Sequence, residues 1–157
     1  GLGDVYKRQS ASDALRAQQL YHAFCPLMTY DYATLENGAY RNPYHAYVDH
    51  RGVCITFAGA LSQLFTRIGV QSTLVSGSTD TGEGHAWNMI TIDGKNYFCD
   101  ATYELTFKEG TAYAYYGMTL DQRLADGSIA PDSISIGGAC FHTLQDGEIS
   151  ATPLQVQ

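Results

Sequence analysis

The dipeptide Asp93-Gly94 separates two alternating, strand-like runs, residues 85–92 and 95–100, and no other feature constrains this chain as much. Asp-Gly between such runs specifies a two-residue type I′ hairpin, because both turn positions need positive φ. A two-residue turn sets the register. Ile92 then pairs with Lys95, Ile90 with Tyr97, and Trp87 with Asp100. Side chains alternate along a strand, so His85, Trp87 and Asp100 share one face of the ribbon. His85 and Asp100 become diagonal neighbours at ~7–8 Å between backbones, a gap their side chains can close.

Upstream, residues 54–68 read as a helix. Ala58, Leu61, Leu64, Phe65 and Ile68 recur every three or four positions, and Gly69 is a stop. Cys54 opens this helix. The preceding Arg51-Gly52-Val53 offers no Ser, Thr, Asp or Asn as a cap. The first N–H groups and the helix dipole therefore put partial positive charge beside the sulfur, the setting in which a thiol becomes a nucleophile. Gly52 allows a tight entry into the helix.

The remaining elements are coarser. Ser12 or Asp13 caps a helix through Ala14, Leu15, Gln18, Gln19 and His22, ending before Pro26. Residues 30–47, rich in Tyr, Asn and Pro, read as loop with a short helix. Residues 70–76 form a strand and 78–84 a polar loop. In the tail, residues 113–116 suggest a strand, Thr119 caps a helix over 120–124, and 133–136 and 139–144 read as late strands. The expected class is α+β, with the nucleophile helix packed on an antiparallel β-sheet.

With 157 residues the chain fits one domain. The opening Gly1-Leu2-Gly3-Asp4-Val5-Tyr6-Lys7-Arg8-Gln9 looks like translated adaptor sequence rather than native protein, so residues 10–157 are taken as the domain and 44–103 as its core. The formal net charge of -7 disfavours phosphate backbones and so nucleic acid. No apolar run approaches the ~18 residues of a membrane span. The four cysteines form no C-x-x-C pair, and a bridge among Cys25, Cys99 and Cys140 stays open.

Cys54, His85 and Asp100 together suit nucleophilic catalysis. Cys54 attacks, His85 takes and returns the proton, and Asp100 fixes the imidazole tautomer. The Cys54 N–H is one oxyanion donor, and a hydroxyl of Tyr40, Tyr44 or Tyr47 is the candidate second. Trp87 serves as groove wall or core. Asn88 points to the other face and reads as structural, and Cys99 faces away from Asp100. His22, His45, His50 and His142 read as surface, with His50 notable for lying four residues before Cys54. Asp31, Glu36, Asp80 and Glu83 read as solvated acids. The 12 tyrosines read as loop packing or as the lining of a peptide groove. Singly, a buried helix cysteine, a core histidine and a strand-end aspartate are the commoner readings of these three residues.

Gly52-Val53-Cys54, Gly84-His85-Ala86-Trp87-Asn88 and the run from Ile92 through Asp100 to Tyr103 resemble the nucleophile, histidine and aspartate segments of the transglutaminase-like superfamily. The resemblance implies a papain-like fold, with the catalytic roles falling on Cys54, His85 and Asp100. It implies acyl transfer at amide bonds of a peptide or protein, as hydrolysis, deamidation or crosslinking, with no metal or organic cofactor. The microbial members it most resembles are often proteases or of unknown activity, and the resemblance leans to an extracellular or cell-surface setting. Two features depart from the family: Ile55-Thr56-Phe57 replaces a more polar stretch, and Tyr103 stands where tryptophan is common. Both are expected to alter the substrate groove. The competing readings are a binding or structural module that keeps the fold without activity, and a zinc-binding domain built on the same three side chains.

Overall fold

A computed structural model describes residues 12–106, 113–137 and 139–155, so the opening run 1–9 lies outside the described residues. Ser12 is a true cap: its Oγ accepts the Leu15 N–H at 3.1 Å, and helix α1 (Asp13–Phe24) follows. Strand β1 (Thr29–Tyr30) leads into three short helical turns, α2 (Ala33–Glu36), a 3-10 turn (Ala39–Arg41) and α3 (Tyr44–Val48). Strand β2 (Arg51–Gly52) enters α4 (Cys54–Arg67). Then come β3 (Gln71–Ser78), β4 (Gly84–Ile92), β5 (Lys95–Cys99), α5 (Ala101–Thr106), α6 (Leu120–Leu124), β6 (Ser135–Ile136) and β7 (His142–Thr143).

Strands β3 to β7 make one antiparallel sheet in the order β5-β4-β3-β6-β7. The β4–β5 register is the expected one, with Ile92 opposite Lys95 and Ile90 opposite Tyr97. Asp93 and Gly94 both have positive φ, as a type I′ turn requires. Alternation then sorts the side chains. Ile90, Ile92, Tyr97 and Cys99 face a core shared with Phe57, Leu61 and Phe65 of α4. Trp87, Met89 and Phe98 face a second core built with Met118, Ile134 and Ile136 from the tail. Asn88 points toward the helix, as expected, and donates from Nδ2 to the Ala58 carbonyl at 2.9 Å, tying sheet to helix.

Both ends of α4 have physical causes. Gly69, at φ 79, closes it in a Schellman arrangement in which Val70 N–H reaches Phe65 O at 2.9 Å and Gly69 N–H reaches Thr66 O at 3.0 Å. Arg16 Nε adds a bond to the Ile68 carbonyl at 3.0 Å. At the other end Gly52 has no alternative. A Cβ there would lie 2.5 Å from the Thr56 Cβ, closer than any packed pair of carbons can approach.

The tail departs from expectation in places. Residues 113–116 are turn and bend, because the partner of Phe98 is Met118, through an isolated bridge. The late strands shrink to two residues each. Thr119 does cap α6: its Oγ1 accepts the Gln122 N–H at 3.1 Å, and Gln122 Oε1 accepts the Thr119 N–H at 3.0 Å. All four cysteines are free thiols. Among the described residues, no helix is long and apolar enough to cross a membrane.

Candidate active site

Helix α4 and strand β4 begin at the same end of the sheet, so Cys54 and His85 line one cleft of about 770 Å³, together with Tyr30, Tyr103, Glu83 and Asp126. Val53 precedes α4 in extended conformation and has no side-chain acceptor. Its own N–H goes to the Thr56 Oγ1 at 3.2 Å, and that hydroxyl donates to the Tyr40 carbonyl at 2.7 Å. The segment entering α4 is thus held from the side, and the cap residue itself puts no side-chain acceptor on the first N–H groups. Of the Ile55-Thr56-Phe57 departure, Thr56 and Phe57 are buried, Ile55 is exposed, and none of the three lines this cleft. Tyr103 does line it.

His85 is buried between two aromatic rings, Trp87 at 5.5 Å and Tyr103 at 5.0 Å between centroids. Its Nε2 bonds Asp100 Oδ2 at 2.7 Å. That leaves Nδ1 free of Asp100, on a ring that shares the cleft with the Cys54 thiol and is influenced by it electrostatically. Burial disfavours the imidazolium, but Asp100 and Cys54 outweigh it and raise the His85 pKa to about 9. Because the folded value lies above the ordinary 6.5, the stability it contributes is full below pH 6.5 and is lost as pH rises through about 9. Urea denaturation of the parent should therefore lose on the order of 3 kcal/mol more than His85→Ala between pH 6 and 9.5.

Asp100 leaves the sheet just past β5 and is fully buried. Its Oδ1 accepts the Tyr103 N–H at 3.1 Å, the first turn of α5. Its Oδ2 also takes a charged bond from Arg123 Nη2 at 2.8 Å. Arg123 is itself fully buried, with its guanidinium 4.5 Å from the centre of Tyr103, 5.0 Å from Trp87 and 5.7 Å from Tyr115. Nη1 faces Ser128 Oγ at 3.4 Å and Asp126 at 3.9 Å. Sequence reasoning missed Arg123. Its only local signal is the Thr119–Gln122 cap, which marks a helix but not a destination.

The proposed second oxyanion donors are elsewhere. Tyr47 gives its hydroxyl to Gln63 Oε1 at 2.5 Å and Ala60 O at 3.3 Å, along the flank of α4. Tyr44 is exposed, and neither it nor Tyr40 lines the cleft. Tyr40 instead accepts the Arg41 Nε–H at 2.8 Å. Trp87 is core, one per cent exposed. His50 turns into a separate apolar groove, and His22 is half-buried, stacked on Tyr113 at 3.6 Å. Among the described residues no group of three His, Cys, Asp or Glu side chains is arranged to hold a metal ion, Cys54, His85 and Asp100 included.

A family model described as the transglutaminase-like superfamily matches residues 4–101. A solved structure described as a TGase shares 20% identity at TM-score 0.47, covering 71% of this chain and 34% of that one. A protein from Cytophaga hutchinsonii, described provisionally as a cysteine protease, shares 15% identity at TM-score 0.45, covering 99% of this chain and 60% of that one. The chain thus spans about a third of the first and three fifths of the second. No curated protein matches it. The family match covers more than half of the chain and both segments that meet at the cleft, and the chain belongs to the transglutaminase-like superfamily, whose fold is that of cysteine enzymes.

Proposed function

We propose that this domain is a thiol acyltransferase or hydrolase acting at amide bonds of a peptide or protein, with Cys54 as nucleophile, His85 as acid and base, and Asp100 as its orienter. One observation carries the reading: a buried imidazole, bonded to a carboxylate at 2.7 Å, lines an open cleft together with the cysteine that begins α4. With its pKa near 9, His85 is protonated at neutral pH beside the sulfur. Sγ adds to the carbonyl carbon, and the π electron pair moves to oxygen. As the C–N bond breaks, the amine leaves with the His85 proton, giving a thioester on Cys54. Water or an amine, deprotonated by His85, then adds to the thioester and expels the sulfur. The cleft lining of tyrosine, threonine and carboxylate suits an extended polar chain, and the net charge of -7 argues against nucleic acid as partner.

The test is alkylation of each cysteine by iodoacetamide from pH 5 to 9, read by peptide mass spectrometry. Cys140 is exposed and serves as the reference thiol in the same chain. Cys25 and Cys99 stay silent, since burial pushes both thiols up, Cys99 to about 12. Cys54 should react at least ~10-fold faster than Cys140 at pH 6, and lose that advantage in His85→Ala. If Cys54 tracks Cys140 and ignores the mutation, the domain is a binding module on an enzyme fold.

A further inference from the structure

Tyr44 and Tyr47 stand outside the cleft, yet another tyrosine lines it beside Cys54. Strand β1 pairs in parallel with β2, setting Tyr30 opposite Gly52, two residues before Cys54. Thr29 N–H bonds His50 O, and Asp31 N–H bonds Gly52 O, both at 2.8 Å. Those two bonds clamp the Tyr30 backbone against the segment that enters α4. Its ring is braced edge-on by Phe57 at 6.2 Å and Tyr32 at 4.9 Å. The side chain is half-buried and lines the cleft with Cys54 and His85. Its phenol end therefore shares the cleft with the first residue of α4. Burial first, and the neighbouring sulfur second, raise its pKa to about 12, so the phenol keeps its proton at any working pH.

Resting on the acyl-transfer reading above, we propose that Tyr30 is a further catalytic residue, the second oxyanion donor beside the N–H of Cys54. A carbonyl oxygen entering the cleft between them takes the N–H of Cys54 and the phenol O–H of Tyr30 on the same atom. When the S–C bond forms and the π pair moves to oxygen, the two donors hold the charge. When the amine leaves, the pair returns and the carbonyl reforms. Tyr30 loses no proton at any stage. Preorganised donors of this kind are worth far more at the developing oxyanion than at the neutral carbonyl.

Two probes separate this role from the triad. p-Nitrophenyl acetate acylates Cys54 through a tetrahedral oxyanion, whereas iodoacetamide alkylates the same sulfur by displacement at a saturated carbon and forms none. Tyr30→Phe keeps the ring and removes the donor. Its acylation rate should fall by about 10²-fold, while the rate and pH profile of Cys54 alkylation match the parent. Tyr30→Met, filling the same space without a donor, should fall alike, and covers a failure of the first variant to fold. Tyr30→His, which returns a ring N–H, should recover part of the loss. Acylation at the parental rate or faster in Tyr30→Phe would overturn the proposal, leaving the hydroxyl as a plug that substrate must displace. A parallel drop in acylation and alkylation would also overturn it, assigning Tyr30 to the sulfur or the fold. A parent that acylates no faster than its exposed Cys140 removes the acyl-transfer reading itself, and that result precedes any variant.

Discussion

Arg123→Met should unfold with about 3–5 kcal/mol less stability than the parent in urea denaturation at neutral pH, the usual cost of removing one partner from a buried ion pair. Methionine restores much of the volume between Tyr103, Trp87 and Tyr115, so little of the loss is a cavity. What goes missing is the cation. Asp100 has no exposure to water, and its remaining partners are His85 and the Tyr103 N–H. The variant must then lean on the imidazolium for neutralisation. Its stability should fall more steeply than the parent's as pH rises toward about 9, where His85 gives up its proton. Stability and pH slope both equal to the parent's would mean that the imidazolium alone balances the carboxylate.

Asp100→Asn should lower the rate of acylation by p-nitrophenyl acetate on the order of 10³–10⁴-fold, the scale seen when the orienting carboxylate of a catalytic triad is neutralised. Burial by itself would hold the His85 pKa below 6.5, and Asp100 is the first of the influences that reverse it. Without that charge the His85 pKa falls, and the imidazole holds its proton for the leaving amine less firmly. The pH at which Cys54 loses its alkylation advantage over Cys140 should move down by the same cause. The amide also meets Arg123 Nη2 at the position of an oxygen that now sits 2.8 Å away, where only an acceptor is tolerated. A change of less than about tenfold in acylation would reduce Asp100 to a structural anchor for Arg123.

The placements around the cleft that sequence anticipates are those set by local rules. Asp93-Gly94 admits one turn type, and that turn alone puts His85, Trp87 and Asp100 on one face. The apolar spacing from Ala58 to Ile68, closed by Gly69, marks α4 and hence puts Cys54 at its start. What escaped is held by contacts with no period. Tyr30 is brought to the Cys54 cleft by a two-residue parallel pairing, too short to show alternation. Tyr47, nearer in sequence, is turned by α3 toward Gln63, more than two helical turns past the nucleophile. Arg123 lies 23 residues beyond Asp100 on a five-residue helix, where an arginine reads as solvated surface. Its burial follows from the second core, which only the folded tail creates.

Arg123 also bears on how much chain a working unit needs. The stretch by which the family is recognised stops at residue 101, after supplying the thiol, the imidazole and the carboxylate. The charge that makes the buried carboxylate tolerable comes from further along, in a segment that the family pattern does not describe. A domain trimmed to its recognisable motif would keep every reactive atom and lose the counter-ion beneath them. For grafting, truncation or fusion, the smallest transferable module therefore runs at least through α6 and its cap.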